Sequence, residues 1–261
     1  MAVTSELNVA FSDTLQFDRY QPADATPKGL VIDIHGGGWF RGDKQKDQDV
    51  ATWFAQNGYL TIVPNYHLVP EGYFPVPLED MDQLFKQIRQ QYPNLPVAVF
   101  GSSAGGNMAV EMGIKYKIPV ISLSGILDIK SWLETHQDVV AKPDQKQDFK
   151  NAASSTINQT GDDDPFYKWF ILNYLKDPHL ADQATPASHI KAKSGPMLLV
   201  NSLNEFVPIS GVFQVSTQLA RFQTPVETIL LSGTRHAKGY LKEVQPNILL
   251  FLKKYLTNRS D

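Results

Sequence analysis

The sequence contains no cysteine. Disulfides, thiolate-bound metals and cysteine nucleophiles are therefore excluded, and a reducing compartment is suited. Basic tracts are also lacking. Lys and Arg total 24 against 27 Asp and Glu, a formal net charge of −3, which argues against nucleic acid as the main partner. No apolar run approaches the length that spans a bilayer. The stretch Met1–Glu6 lacks the basic and apolar regions of a signal peptide,. The expectation is a cytoplasmic protein with no membrane span. No internal repeat or low-complexity tract interrupts the 261 residues, a length that suits one large α/β domain or two small ones without a covalent staple.

What is present is an alternation of buried strands and amphipathic helices. Leu7–Ala10 and Leu15–Tyr20 alternate apolar and polar residues, as an antiparallel edge hairpin would,. Leu30–Ile34 reads as a continuously apolar strand and Val97–Phe100 as a buried one; Leu60–Pro64, Pro119–Leu123, Pro196–Val200 and Val226–Leu231 read as further strands,. Helices are expected over Lys44–Asn57, Leu78–Gln91, Asn107–Met112, Ile209–Phe222 and Gln245–Leu256,. Strands alternating with helices imply βαβ units and a mostly parallel sheet, so residues 1–261 read as a single α/β domain. Residues 128–194 break the alternation. They hold no buried strand, are polar over 145–164, and turn aromatic at Pro165–Leu172. So long a stretch without regular structure would be unusual in a compact domain. It reads as a helical insertion that covers the mouth of a site as a lid.

The chain is organised around Val97–Gly106. There an apolar strand runs into Gly101-Ser102-Ser103-Ala104-Gly105 and then into a helical segment. This strand–turn–helix context is what a nucleophile elbow requires, with Ser103 on the bend and small residues around it. A serine hydroxyl needs a base. His236 follows the last strand, at the sheet edge that also carries the elbow, and comes after Ser103 in chain order,. His136 and His179 fall in the expected lid, His67 and His189 in unrelated loops, and His35 reads as structural. A carboxylate should orient the imidazole. Glu205 is favoured, from the loop after Met197–Val200. Asp128, after the preceding strand, is an alternative. Asn204 occupies the neighbouring position but cannot carry charge. His35-Gly36-Gly37-Gly38 has the form of the oxyanion-binding loop of lipases and esterases,. Gly37 and Gly38 would donate amides alongside Ala104. Trp39 reads as packing or a pocket wall, and Trp169 as a further pocket wall. No phosphate-loop or dinucleotide pattern competes with this reading.

These features resemble an α/β-hydrolase and, within that fold, the hormone-sensitive-lipase-like bacterial carboxylesterases. The resemblance rests on His35–Trp39, on Asn65–Glu71 (close to Tyr-Arg-Leu-Ala-Pro-Glu in that family), on Phe74–Asp80, and on the elbow at Ser103. It implies helices on both faces of the sheet and hydrolysis of short-chain acyl or small aryl esters through an acyl-enzyme. No metal or organic cofactor is implied. An amidase, an arylformamidase, an exopeptidase or a non-catalytic binding protein on the same fold are the alternatives, and a homodimer stays open. The chain departs from the family pattern in three ways. Asn204 stands where the family has aspartate. Ala237-Lys238 replaces Gly-Phe after the histidine. The residues before Leu30 are too few for the family's N-terminal cap helices.

Overall fold

The computed structural model describes residues 1–143 and 163–256. An eight-stranded sheet runs through it, with spatial order β1-β2-β4-β3-β5-β6-β7-β8. The strands are β1 (Val3–Ala10), β2 (Gln16–Pro22), β3 (Leu30–Ile34), β4 (Leu60–Pro64), β5 (Val97–Ser102), β6 (Val120–Leu123), β7 (Met197–Ser202) and β8 (Val226–Leu231). The expected hairpin is there. β1 pairs with β2, and β2 with β4, both antiparallel. From β4 to β8 every pairing is parallel.

The inner parallel strands β3 to β7 are largely apolar because both of their faces are covered, whereas the edge strand β8 is only partly buried,. On one face Val31, Ala98, Phe100, Ile121, Leu198 and Val200 meet α1 (Gln48–Gln56) and α7 (Leu241–Tyr255). On the other, Ile32, Val99, Val120 and Leu199 pack with α2 (Val76–Gln91), α3 (Ala104–Tyr116) and α6 (Ser210–Arg221). Alternate residues of one strand thus serve opposite layers.

The expected lid region supplies α4 (Lys130–Thr135) and α5 (Asp164–Leu175). Its polar portion at 144–162 lies outside the described residues. Several helices differ from expectation at their starts: α2 opens at Val76 and α3 at Ala104, ahead of the expected Leu78 and Asn107. The segment from Lys44 opens as a tight 3-10 turn and becomes α-helical only at Gln48. The last helix begins at Leu241 and carries Pro246 inside it. Leu241 and Val244 are buried against the sheet, and that burial outweighs the hydrogen bond the proline cannot make.

Asp33 is a local exception to the apolar strands. It is fully buried on β3, and neither carboxyl oxygen has a partner among the described residues. Burial first, then the nearby Asp47 carboxylate, pushes its pKa well above the usual carboxylate range, against the pull of Lys238. The folded chain therefore holds a proton that the unfolded chain releases above ~4. Stability should fall as pH rises from there towards the folded value. Asp33→Asn removes this dependence. It should melt higher than wild type at pH 7–8, with the gap closing near pH 4. A stability change of 1 kcal/mol moves Tm by ~2–4 °C in a chain of this size, so melts across pH resolve the effect. A gap that does not vary with pH would refute this account.

Candidate active site

The strand order brings the key loops together. β3 leads on one side to β4 and on the other to β5, and such a switch point is where parallel sheets open a crevice at their carboxyl ends. β3 and β5 are direct neighbours, with Ile34 opposite Gly101. The glycine loop after β3 and the elbow after β5 therefore lie side by side. A Cβ built on Gly36 would sit 3.3 Å from the Ser103 Cβ.

Ser103 itself has φ 56° and ψ −118°, a backbone region that costs a non-glycine residue about 1–3 kcal/mol. The bend is held by Ser103 N–H donating to the Leu123 carbonyl at 2.8 Å and by α3 starting immediately afterwards. Ser103 is 8% exposed. Gly105 allows α3 to begin against β3, since a Cβ there would lie 2.0 Å from the Ile34 carbonyl oxygen. Gly37 adopts φ +129°, where a Cβ would overlap the Arg41 carbonyl. His35 is buried and stacks on Tyr66 with ring centroids 4.4 Å apart. Burial lowers its basicity, so it stays neutral beside the glycines. It shapes the loop, as its sequence context suggested.

His236 follows β8, and its Nδ1 donates to Glu205 Oε2 at 2.5 Å. The pair is sealed, with side-chain exposures of 5% and 0%. The other carboxylate oxygen accepts the Ser202 amide and the Ser124 hydroxyl, both at 2.8 Å. With Nδ1 donating, the neutral imidazole presents an unprotonated Nε2. Among the described residues no hydrogen bond joins Ser103 Oγ to His236; such contacts commonly tighten only with substrate bound. Of the other acid candidates, Asn204 is exposed, its amide bound to the Gly233 carbonyl. Asp128 is buried and accepts the Ser210 hydroxyl at 2.7 Å.

Sequence reasoning missed Ser124, Tyr240 and Phe206. Ser124 directly follows β6, at φ 50°. Its hydroxyl touches Glu205, the Ala237 amide at 2.8 Å and the Tyr240 hydroxyl at 2.6 Å. Tyr240 in turn donates to the Val200 carbonyl. One serine thus ties the acid loop to the histidine loop. Phe206 meets the His236 ring edge-on at 6.2 Å and stacks on Phe166 at 5.8 Å. Phe40, next to the glycine loop, meets Trp169 edge-on at 5.1 Å. α5 thereby joins the two rims of the crevice through aromatic rings. Trp169 stays partly exposed in this wall. Trp39 does not line the crevice: it is fully buried, stacked on Tyr174 at 3.9 Å, so of its two expected roles it serves packing.

Lys238 anchors the histidine loop from outside. Its ammonium donates to the Lys46 carbonyl, Asp47 and Asp49 at 2.6–3.2 Å. Burial would depress its basicity, but the two carboxylates outweigh that and raise it. Lys238→Met should let His236 wander and lower kcat about 10-fold with KM little changed, since misplacement by about 1 Å can cost ~10²-fold. Steady-state kinetics in low and high salt check this. An unchanged kcat would show that the loop holds without the anchor.

Among the described residues no helix is long and apolar enough to cross a membrane. Solved structures of similar fold include an esterase of Pyrobaculum calidifontis, with TM-score 0.75 and 18% identity over 98% of this chain and 86% of that one. At that identity the likeness establishes the fold, an α/β-hydrolase. Sequence relatives include a versiconal hemiacetal acetate esterase of Aspergillus parasiticus, 27% identical over 56% of this chain and 48% of that protein. A kynurenine formamidase of Danio rerio is 26% identical over 55% and 53%. The chain spans between a fifth and about half the length of the first curated relatives it matches. The BD-FAE family model matches residues 17–219, which includes the glycine loop, the elbow and the acid loop. With most of its length matched in this way, the chain belongs to the BD-FAE family of α/β-hydrolases.

Proposed function

We propose that this chain is a serine carboxylesterase acting on short-chain acyl or small aryl esters. The observation that carries the reading is the sealed His236–Glu205 pair, on loops at the same edge of the sheet as a serine held at a strained bend. In this reading His236 Nε2 takes the Ser103 proton as Oγ attacks the ester carbonyl. The amides of Gly37, Gly38 and Ala104 stabilise the tetrahedral oxyanion, and the positive end of α3 adds to them. His236 then protonates the leaving alcohol and later activates water to release the acid. Side chains bear every proton transfer, so the cycle needs no metal or organic cofactor. The rings of Phe40, Trp169 and Phe206 favour a compact or aromatic substrate, and α5 serves as part of a lid.

The test is a burst experiment with p-nitrophenyl acetate. Stoichiometric early release of p-nitrophenol, with acetyl trapped on the Ser103 peptide by mass spectrometry, supports the reading. No release, or acetyl on another residue, overturns it. A second reading, cleavage of an arylformamide by the same serine, is favoured by the relative named kynurenine formamidase. Faster turnover of formanilide than of the acetate ester would select it.

A further inference from the structure

A cavity of about 340 Å³ lies next to the acid loop. Its walls include the carboxylate residues Asp128, Asp163, Asp164 and Glu205, together with Trp132 and Phe206. Among the described residues no lysine or arginine lines it, and the one basic side chain in its wall, His136, is engaged through Nδ1 with the Trp132 carbonyl at 2.8 Å. Glu205 is already engaged, one oxygen on His236 and the other on Ser124 and Ser202. Asp128 is not. It is 3% exposed, its Oδ2 accepts the Ser210 hydroxyl, and its Oδ1 has no partner among the described residues. A buried carboxylate oxygen left without a donor is costly and calls for a cation or a strong donor.

A second orphan stands close by. The Tyr167 hydroxyl is buried and unpartnered among the described residues. The Tyr167 ring meets Trp132 at 4.7 Å and Phe206 at 5.3 Å, both of them in the cavity wall, and burial first, then the charges of Asp128, Glu205 and Asp164, keep this phenol protonated. Among the described residues no group of three or more His, Asp or Glu side chains could hold a metal ion. The walls instead combine negative charge with aromatic surface, the surroundings that suit an ammonium group on a short carbon stem. Phe206 lines the cavity and also meets the His236 ring, so the cavity and the imidazole share one aromatic neighbour.

We propose that this cavity is a subsite for a primary ammonium group carried by the substrate, received by Asp128 Oδ1. The inference rests on the Ser103 reading above and narrows its substrate class to amine-bearing esters.

The test compares 4-(aminomethyl)phenyl acetate with its neutral isostere 4-ethylphenyl acetate, alongside calorimetric binding of benzylammonium and benzyl alcohol. In wild type, kcat/KM should favour the ammonium ester by about 10-fold or more, the scale of one charge-assisted hydrogen bond, and benzylammonium should inhibit competitively. Asp128→Asn should abolish both effects. So should Thr135→Lys, which brings its own ammonium to the cavity wall and serves if the first variant does not fold. Equal turnover of the two esters overturns the subsite while leaving the Ser103 reading intact. Turnover of neither ester overturns the Ser103 reading and with it the assignment to substrate. Calorimetry then still decides whether the cavity takes a cation, and equal binding of benzylammonium and benzyl alcohol overturns that too. Benzylammonium binding without any ester preference overturns the substrate assignment in favour of a free amine.

Discussion

Ser103→Ala is expected to lower kcat for p-nitrophenyl acetate by about 10⁴-fold or more, because serine and histidine act as a unit and the loss of either removes nearly all covalent catalysis. What should remain is the modest effect of binding the ester against the glycine loop. KM should change little, since Oγ contributes mainly to the transition state. A second substitution separates chemistry from folding. Alanine keeps the Cβ that makes φ 56° costly at this bend, whereas glycine does not. Ser103→Gly should therefore be equally inactive yet melt above Ser103→Ala, the released strain of about 1–3 kcal/mol exceeding glycine's entropic cost of about 0.5–1 kcal/mol. If Ser103→Ala keeps its rate within 10-fold of wild type, the nucleophile lies elsewhere and the elbow is only a turn.

Much of this site was legible because the sheet does the positioning. Buried parallel strands need apolar residues on both faces, so Leu30–Ile34 and Val97–Ser102 show as continuous runs. Glycine and serine directly after such runs mark loops at one edge. Adjacency was less visible. That β3 lies between β4 and β5 is a matter of topology, and it is what sets Gly36 against Ser103. Contacts assembled only by folding left no local trace. Ser124 reaches Glu205 across 81 residues and Tyr240 across 116, and no period or motif encodes either distance. Phe206 carried a faint signal, an aromatic directly after the one carboxylate of its loop. The start of α7 was misplaced because Pro246 reads as a first-turn residue when the burial of Leu241 and Val244 is not yet known.

Glu205→Gln is expected to lower kcat by ~10⁴-fold, the cost when an amide in place of the carboxylate stabilises the wrong imidazole tautomer. The reasoning turns on Nδ1. An ionised Glu205 can only accept, so Nδ1 must carry the proton and Nε2 is left free to take one from Ser103,. A glutamine can present its NH₂ to Nδ1 instead and reverse that arrangement. The amide would also face the Ser202 amide and the Ser124 hydroxyl, which now donate to a carboxylate. Asn204→Asp should not rescue the variant, because the 204 side chain stands exposed while that of 205 lies sealed against the imidazole. Asp128→Asn should cost at least 100-fold less than Glu205→Gln, since Asp128 is bound to Ser210 and not to His236. Steady-state kinetics on p-nitrophenyl acetate with these variants rank the candidates. A Glu205→Gln enzyme near the wild-type rate, or one restored by Asn204→Asp, would transfer the acid's role one residue back, to position 204.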